Sequence, residues 1–429
     1  MLKYNNTYRI ILLLLVSIII IPSYITVKIG SFPGLNLERL IELYLLFIFI
    51  VFYLNSAPFR INFQTYIKEY KLLFLYLFSI YFIQANSSLL FGIDQISSFA
   101  NSIIKFFNQL FLLLIVIAYI DKEKVYKLIK FILILQFIVL ILAIIEYFKG
   151  GTLFGFLTFL NESAAERLVN GDFRDGRYRL ISTMPHSLVL AQFLLILLPF
   201  NHFFLSNSKF KTIPFFNITL TPFIIFATDS RMGLALYLLF YILFFGHILW
   251  KYLVSKKIYN FSKKIFFNIS ILMLVVGSVY LVSNFQSILK DSTNYILSQH
   301  NATKNETDSS MARIVQINLA LKNQSLLGFG SKGQVDILKQ SSLKAMDNYY
   351  VSLFLNVGGI GLLLFILTII YIFRLIIKNL NSKIFIPFLF FYLNYCVYVL
   401  ILSIDHLMSL FFIFLGFLLV LAKNEGNQK

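Results

Sequence analysis

Apolar residues recur along the whole chain in long runs separated by short polar stretches. The runs reach about 18 to 22 residues, the length that a helix needs to cross a hydrocarbon layer about 30 Å thick. Lipid offers no partner for backbone polar groups, so such runs form helices or the strands of a closed barrel. The two-residue alternation of barrel strands is missing from them. The pattern therefore predicts an all-α fold, a polytopic membrane helical bundle.

About twelve transmembrane helices are predicted within one integral membrane domain over residues 1–429. They lie near 10–27, 38–54, 72–90, 103–120, 128–148, 183–205, 213–228, 232–250, 265–285, 348–373, 384–403 and 407–422. Two long loops, 149–182 and 286–347, separate some of them. With the first residue in the cytoplasm, both loops fall on the outer, periplasmic side.

The distribution of Lys and Arg sets this orientation. With both termini in the cytoplasm, 21 of the 37 cations lie on inner segments, as the positive-inside rule requires. Of the other 16, 12 lie in the two long outer loops. The short outer connections hold Lys28, Arg39, Lys105 and Arg231. We therefore expect a multi-pass protein of the bacterial inner membrane, with two outer loops that are basic for a reason other than topology.

Composition excludes several classes of protein. The chain is 59% hydrophobic and 13% charged, which excludes a soluble protein. Its net charge of +18 is mostly explained by helix flanks, so no nucleic-acid partner is predicted. Cys396, the one cysteine, lies in an apolar run and forms no disulfide framework. The histidines show no metal-ligand spacing, so neither a metal nor a cofactor is predicted.

A cluster of arginines occupies the end of the first long loop. The cluster consists of Arg167, Arg174, Arg177 and Arg179, and His186 follows it. Guanidinium groups are always charged and present several donors in one plane, which suits a pyrophosphate. The alternative is a solvated loop or a contact with lipid headgroups.

The turn Thr228-Asp-Ser-Arg231 is a second outward polar site, between two spans with almost no loop. An arginine and an aspartate this near the membrane are costly unless they are paired or functional. Arg231 is therefore a candidate site residue. A local pair between Asp229 and Arg231 is the structural alternative.

The second long loop contains an amphipathic stretch that begins after Arg313. Apolar positions from Ile314 to Leu321 fit one helical face, which predicts a helix lying along the membrane surface. The stretch ends in Leu327-Gly-Phe-Gly330, whose glycines permit a tight turn. No Gly-Lys-Ser/Thr follows, so this is not a phosphate loop.

Asp347-Asn348 opens a helix that continues from Tyr349 to Gly358-Gly-Ile-Gly361. Asp and Asn suit a helix N-terminus, and small residues allow close helix packing, so structural roles suffice to explain them. The functional alternative is that Asp347 is an outward carboxylate beside a loop rich in arginine. Asn348 and Tyr349 would then lie at the same site.

Roughly residues 165–365 resemble the O-antigen ligase and polymerase superfamily. Asp347-Asn348, nine residues and Gly358-x-x-Gly361 are similar to the ligase signature, in which His stands at the position of Asp347. Three further stretches resemble the family's Arg-x-x-Gly-Thr-Phe, Thr-x-Ser-Arg and Arg to Gly-x-Gly segments: Arg179 with Ser182-Thr-Met-Pro185, Thr228-x-Ser-Arg231, and Arg313 with Gly328-Phe-Gly330. Aspartate in place of histidine favours a polymerase over a ligase.

The resemblance implies a metal-independent glycosyl transfer without a cofactor, in the synthesis of O-antigen or capsule-type polysaccharide. A growing glycan would leave undecaprenyl diphosphate and join a hydroxyl of an incoming lipid-linked repeat unit. Asp347 is the implied base, and Arg179, Arg231 and Arg313 would stabilise the leaving diphosphate. Substrate contacts are expected from Arg167, Arg174, Arg177, His186, Asn348 and Tyr349. The implied partners are the lipid-linked donor and acceptor, membrane lipids and a chain-length regulator.

Three other functions stay open. A ligase that transfers glycan to lipid A core would use the same fold with a different acceptor. A flippase for lipid-linked oligosaccharides also has about twelve spans, but it would need no long outer loops. A metal-dependent membrane glycosyltransferase would want acidic ligands in its first outer loop, where residues 28–39 offer only Glu38.

Overall fold

Helices make up most of the chain that the structure describes. The structure is a computed structural model and describes residues 2–22, 25, 36–91, 95–154, 173–174, 177–255, 309–331, 337, 348–380, 382–400 and 407–426. Its helices are α1 (Leu2–Ile19), α2 (Leu37–Asn55), α3 (Ala57–Glu69), α4 (Lys71–Phe91), α5 (Gln95–Tyr119), α6 (Lys122–Lys149), α7 (Ser187–Asn207), α8 (Thr212–Ala227), α9 (Arg231–Ser255), α10 (Ser309–Lys322), α11 (Tyr349–Lys378), α12 (Phe385–Tyr398) and α13 (Met408–Gly426). Two short strands, β1 (Phe173–Arg174) and β2 (Arg177–Tyr178), precede α7.

Five of the described helices are long and apolar enough to cross a membrane: α4, α5, α6, α7 and α11. Helices α2 and α3 pass the same test only together, and they are bent by 107°. The apolar helices α1, α8, α9, α12 and α13 are shorter over their described lengths. The chain is therefore helical, with several helices of membrane-spanning length, as the hydropathy pattern predicts. The full set of about twelve spans stays a prediction.

The chain divides into two compact units. The first consists of Met1–Tyr237 together with Ile317–Lys429, and the second is Leu238–Gln316. The first unit contains one continuous apolar core. Helix α7 is buried on nearly every side, which explains why its sequence is hydrophobic all round. Aromatic rings fill its contacts with α12 and α13, and Phe200 meets Phe388 with ring centroids 5.1 Å apart.

Every predicted span within the described residues contains a helix, and 265–285 lies outside them. Several boundaries are wrong. Helix α5 begins at Gln95, before the predicted start at 103, so Lys105 lies about 15 Å along a helix and not in a short outer connection. The hydropathy pattern misses the first turns of α5 because they contain Ser98 and Ser102, which are polar but buried in the structure. Helix α7 begins at Ser187, not at 183.

Two local elements also depart from the expected pattern. Residues 57–69 lie between the predicted spans 38–54 and 72–90, yet they form α3, whose first turn is capped by Ser56 through a 3.4 Å bond from the Phe59 N–H. The all-α prediction omits the hairpin of β1 and β2. In this hairpin Phe173 pairs with Tyr178, and Arg174 pairs with Arg177.

Candidate functional site

The segment that follows the hairpin is buried against the turn between α8 and α9. Arg179 is 8% exposed, and its Nε donates a 2.9 Å hydrogen bond to the carbonyl oxygen of Thr228. The backbone N–H of Leu180 donates to the Ala227 carbonyl oxygen at 3.3 Å. The structure therefore brings together two of the predicted polar sites, the arginine segment and the Thr228–Arg231 turn.

The Thr228–Arg231 turn separates structural residues from a candidate functional one. Thr228 ends α8, Asp229 adopts a left-handed φ of 50°, and the Ser230 hydroxyl accepts a 3.0 Å bond from the Gly233 N–H. These residues make the reversal between two helices. Arg231 is exposed at the first position of α9, where the helix dipole disfavours a cation. Arg231 therefore stays the candidate site residue of this turn.

Glu146, in the last turn of α6, holds the Arg179 segment in place and was missed in the sequence. Its carboxylate is fully buried and accepts the backbone N–H groups of Ile181 at 3.1 Å and Ser182 at 2.5 Å. The hydroxyl of Tyr178 donates to the same carboxylate. Arg179 thus lies between residues that one carboxylate fixes. A lone glutamate in an apolar span was the signal that should have indicated it.

Residues after Arg179 form a tight non-helical turn. Ser182, at the position where the resembled stretch has glycine, adopts a φ of 53°. A left-handed conformation costs a residue other than glycine about 1–2 kcal/mol. The Ser182 hydroxyl donates to the Val139 carbonyl oxygen at 3.0 Å, and the Thr183 hydroxyl donates to that of Ile19 at 2.8 Å. Together with Glu146, these bonds hold the strained residue in place.

His186 has a structural role at the start of α7. Its Nδ1 accepts a 3.0 Å hydrogen bond from the Leu188 N–H, so the imidazole caps the helix. This capping bond gives His186 an explanation that needs no substrate.

The loop around Gly328 docks into a break in α11. Gly358, inside α11, has a φ of 71° and interrupts the helix. Four backbone N–H groups donate across this break at 2.8–3.2 Å: Phe329 to Leu355, Gly330 to Asn356, Gly359 to Ser325 and Ile360 to Leu326. Gly328 and Gly330 have positive φ values of 75° and 85°, as a tight turn requires. The Gly-x-Gly and Gly-x-x-Gly stretches are therefore two halves of one backbone junction.

This junction changes the role expected for the glycines of α11. The sequence suggested that small residues at 358 and 361 serve close helix packing. In the structure a Cβ at Gly358 would collide with the Leu326 carbonyl group, and one at Gly361 would collide with the Val357 side chain of the same helix. The glycines serve a helix break and a docked loop, so the packing prediction is wrong for Gly358.

The end of α12 joins the two halves of the site. The Tyr398 and Ser230 hydroxyl oxygens lie 2.9 Å apart. The next residue, Val399, accepts a 3.0 Å bond from the backbone N–H of Tyr349 at the start of α11. Asn348 caps α11, since its Oδ1 accepts from the Tyr350 N–H at 2.9 Å. We use the name motif end for the region where three segments meet around Tyr398 and Val399. These segments are the Arg179 segment, the Thr228–Arg231 turn and the start of α11.

The remaining predicted site residues fall into three groups. Asp347 and Arg167 lie outside the described residues. The hairpin carries Arg174 and Arg177 opposite each other, five and two positions before Arg179. Arg313 lies in α10, within the unit Leu238–Gln316. Arg179, Arg231, Asn348 and Tyr349 are thus the predicted residues that the motif end gathers.

Comparison of the sequence with known protein families and with curated proteins finds no match for this chain.

Proposed function

We propose that this chain is a membrane glycosyltransferase that polymerises oligosaccharide repeat units carried on undecaprenyl diphosphate, at the periplasmic face of a bacterial inner membrane. The observation that carries the proposal is the meeting of the Arg179 segment, the Thr228–Arg231 turn and the start of α11 around Tyr398 and Val399. These segments are far apart in sequence. Unrelated chance resemblances have no reason to meet at one end of a helical chain, so their convergence supports a shared site.

The chemistry of the proposed transfer suits an arginine-lined site. The acceptor hydroxyl oxygen forms a bond with the anomeric carbon of the growing glycan, and the bond from that carbon to the diphosphate oxygen breaks. Negative charge then develops on the leaving diphosphate. Arg179 is held by its bond to Thr228 and by the fixed residues on either side, so its guanidinium is oriented before the substrate arrives. Such preorganised donors stabilise developing charge without reorganising.

Asp347 is the proposed base that accepts the proton from the acceptor hydroxyl. It directly precedes Asn348, the residue that caps α11 at the motif end. Asp347 is two residues before Tyr349 in the sequence, and the Tyr349 backbone N–H donates to the Val399 carbonyl oxygen at 3.0 Å. The lipid tails of donor and acceptor would lie against apolar helix faces, since exposed leucine, isoleucine and phenylalanine side chains cover α2, α4 and α11.

Arginine substitutions test the proposal. In a strain that lacks its own copy of the gene, Arg231→Ala and Arg313→Ala should abolish the chain-length ladder of the surface glycan while the protein level stays normal. Loss of one preorganised donor typically lowers turnover about 10²–10³-fold. Arg374→Ala, at an exposed position in the last turns of α11, is the matched control and should leave the ladder intact. A normal chain-length ladder in the Arg231→Ala strain would contradict the proposal.

The acceptor distinguishes a polymerase from a ligase. If the chain is a polymerase, the Arg231→Ala strain should still attach single repeat units to the final acceptor. If it is a ligase, long glycans should instead accumulate on the lipid carrier, with none on lipid A core. Extraction of the carrier-linked glycans from the same strain separates these outcomes.

A further inference from the structure

A pair of glutamates at the start of α2 faces the interior of the fold. Glu38 and Glu42 are four positions apart, so they lie on one face of the helix. Glu42 is 2% exposed, whereas Leu40, Tyr44 and Phe47 on other faces are each more than half exposed. A carboxylate buried in an apolar helix of this kind is a functional candidate by default.

Two other helices supply polar partners to the pair. With its amide oriented to donate, the side-chain nitrogen of Asn108 lies 2.7 Å from Glu42 Oε2. The Ser409 hydroxyl oxygen, on α13, lies 3.2 Å from Glu38 Oε1 and 2.9 Å from the carbonyl oxygen of Asn108. Asn108 belongs to a π-helical turn of α5, Phe107–Phe111, and such turns recur at functional sites. The pair is therefore built into a site of three elements.

One oxygen of this site lacks a partner. Glu42 Oε1 is buried and accepts no hydrogen bond within the described part of the chain. A buried acceptor without a partner costs about 1–3 kcal/mol, and more if it is charged. This unsatisfied oxygen points to a ligand that binds the carboxylate.

The charges near the pair do not balance. The two carboxylates repel each other, and Arg39 attracts both of them. One guanidinium against two carboxylates leaves one negative charge, which is expensive in an apolar interior. Arg39 is the cation whose charge acts on both carboxylates. The other charged side chains on the helices around the pair are Arg9 on α1, Arg60, Lys68 and Glu69 on α3, Lys423 on α13, and Lys105 on α5, which lines a cavity with Tyr81 and Gln84.

We propose that Glu38 and Glu42 form a binding site for one monovalent cation, and that this cation is a proton shared by the pair. One positive charge cancels the remaining negative charge, whereas a divalent ion would reverse its sign. The described residues hold no group of three or more His, Cys, Asp or Glu side chains that could bind a metal ion. The site does not depend on the proposed glycosyl transfer.

Infrared spectroscopy of the purified full-length protein in lipid nanodiscs tests the proposal. At neutral pH the wild type should show the carbonyl stretch of a buried protonated carboxylic acid. Glu42→Gln should lose this band, and Glu38→Gln is a second variant with the same expected loss should the first fail to fold. Glu123→Gln, which removes an exposed carboxylate on α6, is the control and should keep the band.

Thermal unfolding provides the second measurement. The folded chain holds a proton that the unfolded chain releases at neutral pH, so Tm should fall as the pH rises through neutrality, and Glu42→Gln should remove this dependence. Absence of the acid band from the wild type at neutral pH overturns the proposal. So does a Tm increase caused by sodium or magnesium chloride, but not by choline chloride, that Glu42→Gln abolishes, because a metal cation would then occupy the site.

Discussion

The Thr228–Arg231 turn shows how single residues of one short motif divide by task. Thr228, Asp229 and Ser230 end one helix, reverse the chain and begin the next through their own backbone and hydroxyl groups. Arg231 is exposed at the first position of α9, where a helix dipole disfavours a cation. Asn348 belongs with the structural residues because it caps α11. Among the motif residues, the arginines Arg179 and Arg231 are therefore the strongest candidates for a role in substrate binding.

Glu146 gives the sharpest prediction for a single residue. Glu146→Gln should leave the chain folded but disorder the Arg179 segment, because an amide has one acceptor oxygen where the carboxylate serves three donors. We expect shorter glycan ladders together with a loss of stability of about 1–3 kcal/mol, as for a buried donor left unsatisfied. Ladder length and thermal unfolding of the purified protein measure the two effects.

Matched variants separate positioning from general damage. Tyr178→Phe removes one of the three donors and should shorten the ladder less than Glu146→Gln does. Glu123→Gln removes an exposed carboxylate from the same helix and should change neither quantity. Full-length ladders in Glu146→Gln, at normal protein level, would contradict a positioning role.

At the scale of the element, α11 is two helical pieces joined by a docked loop. The backbone groups freed at Gly358 are bonded by residues 325–330, which run alongside the break. Helical periodicity on both sides of Gly358 predicts one continuous helix, and the structure shows why periodicity alone cannot reveal the interruption. The partners that satisfy the break come from a loop with no regular pattern of its own.

Neighbouring glycines allow a matched test of this junction. Gly358→Ala places a Cβ against the Leu326 carbonyl and forces alanine into a left-handed φ, so it should lower Tm and protein level markedly. Gly359→Ala meets only the Phe354 ring at 3.9 Å and should be tolerated. Thermal unfolding of both purified proteins decides the matter. Equal behaviour of the two variants would show that the junction contributes little.

Sequence patterns predict the helices better than their ends. Hydropathy located the described spans, because apolar runs of this length have few alternatives in lipid. It missed the first turns of α5, since Ser98 and Ser102 look like loop residues until Ser88 and Ser331 satisfy their hydroxyls. Polar residues that pair across helices have no signature within their own helix.

At the scale of the whole molecule, the order of spans along the chain predicts that the motif segments lie on one side of the membrane. Alternating spans predict that residues 149–182, the turn at 228–231 and the start of α11 lie outside. The structure joins the latter two through α12. The order of the spans does not predict which residues contact each other. Glu146 and Tyr398 are joined to the motifs across large sequence separations, and each looks like an ordinary span residue when taken alone.

Reporter fusions test the predicted orientation. Alkaline phosphatase fused after Lys429 should be inactive and a fluorescent protein there should fluoresce, because the end of the chain is expected in the cytoplasm. A phosphatase inserted within 286–347 should be active. The reverse pattern would place the motif end in the cytoplasm and would exclude a periplasmic transferase.

The contact between α4 and the loop at 327–331 has a consequence for the making of the protein. The Ser87 hydroxyl donates to the Leu327 carbonyl oxygen at 2.5 Å, and the Ser88 hydroxyl accepts from the Ser331 N–H at 2.9 Å. Ser87 and Leu327 are 240 residues apart, so the ribosome needs about 10–50 s to supply the partner. If α4 spans the membrane as predicted, during that interval it would lie in the bilayer with the hydroxyls of Ser87 and Ser88 not yet bonded to the loop. Nascent chains stalled before the loop would thus offer the cell's quality-control proteases an unfinished helix to recognise.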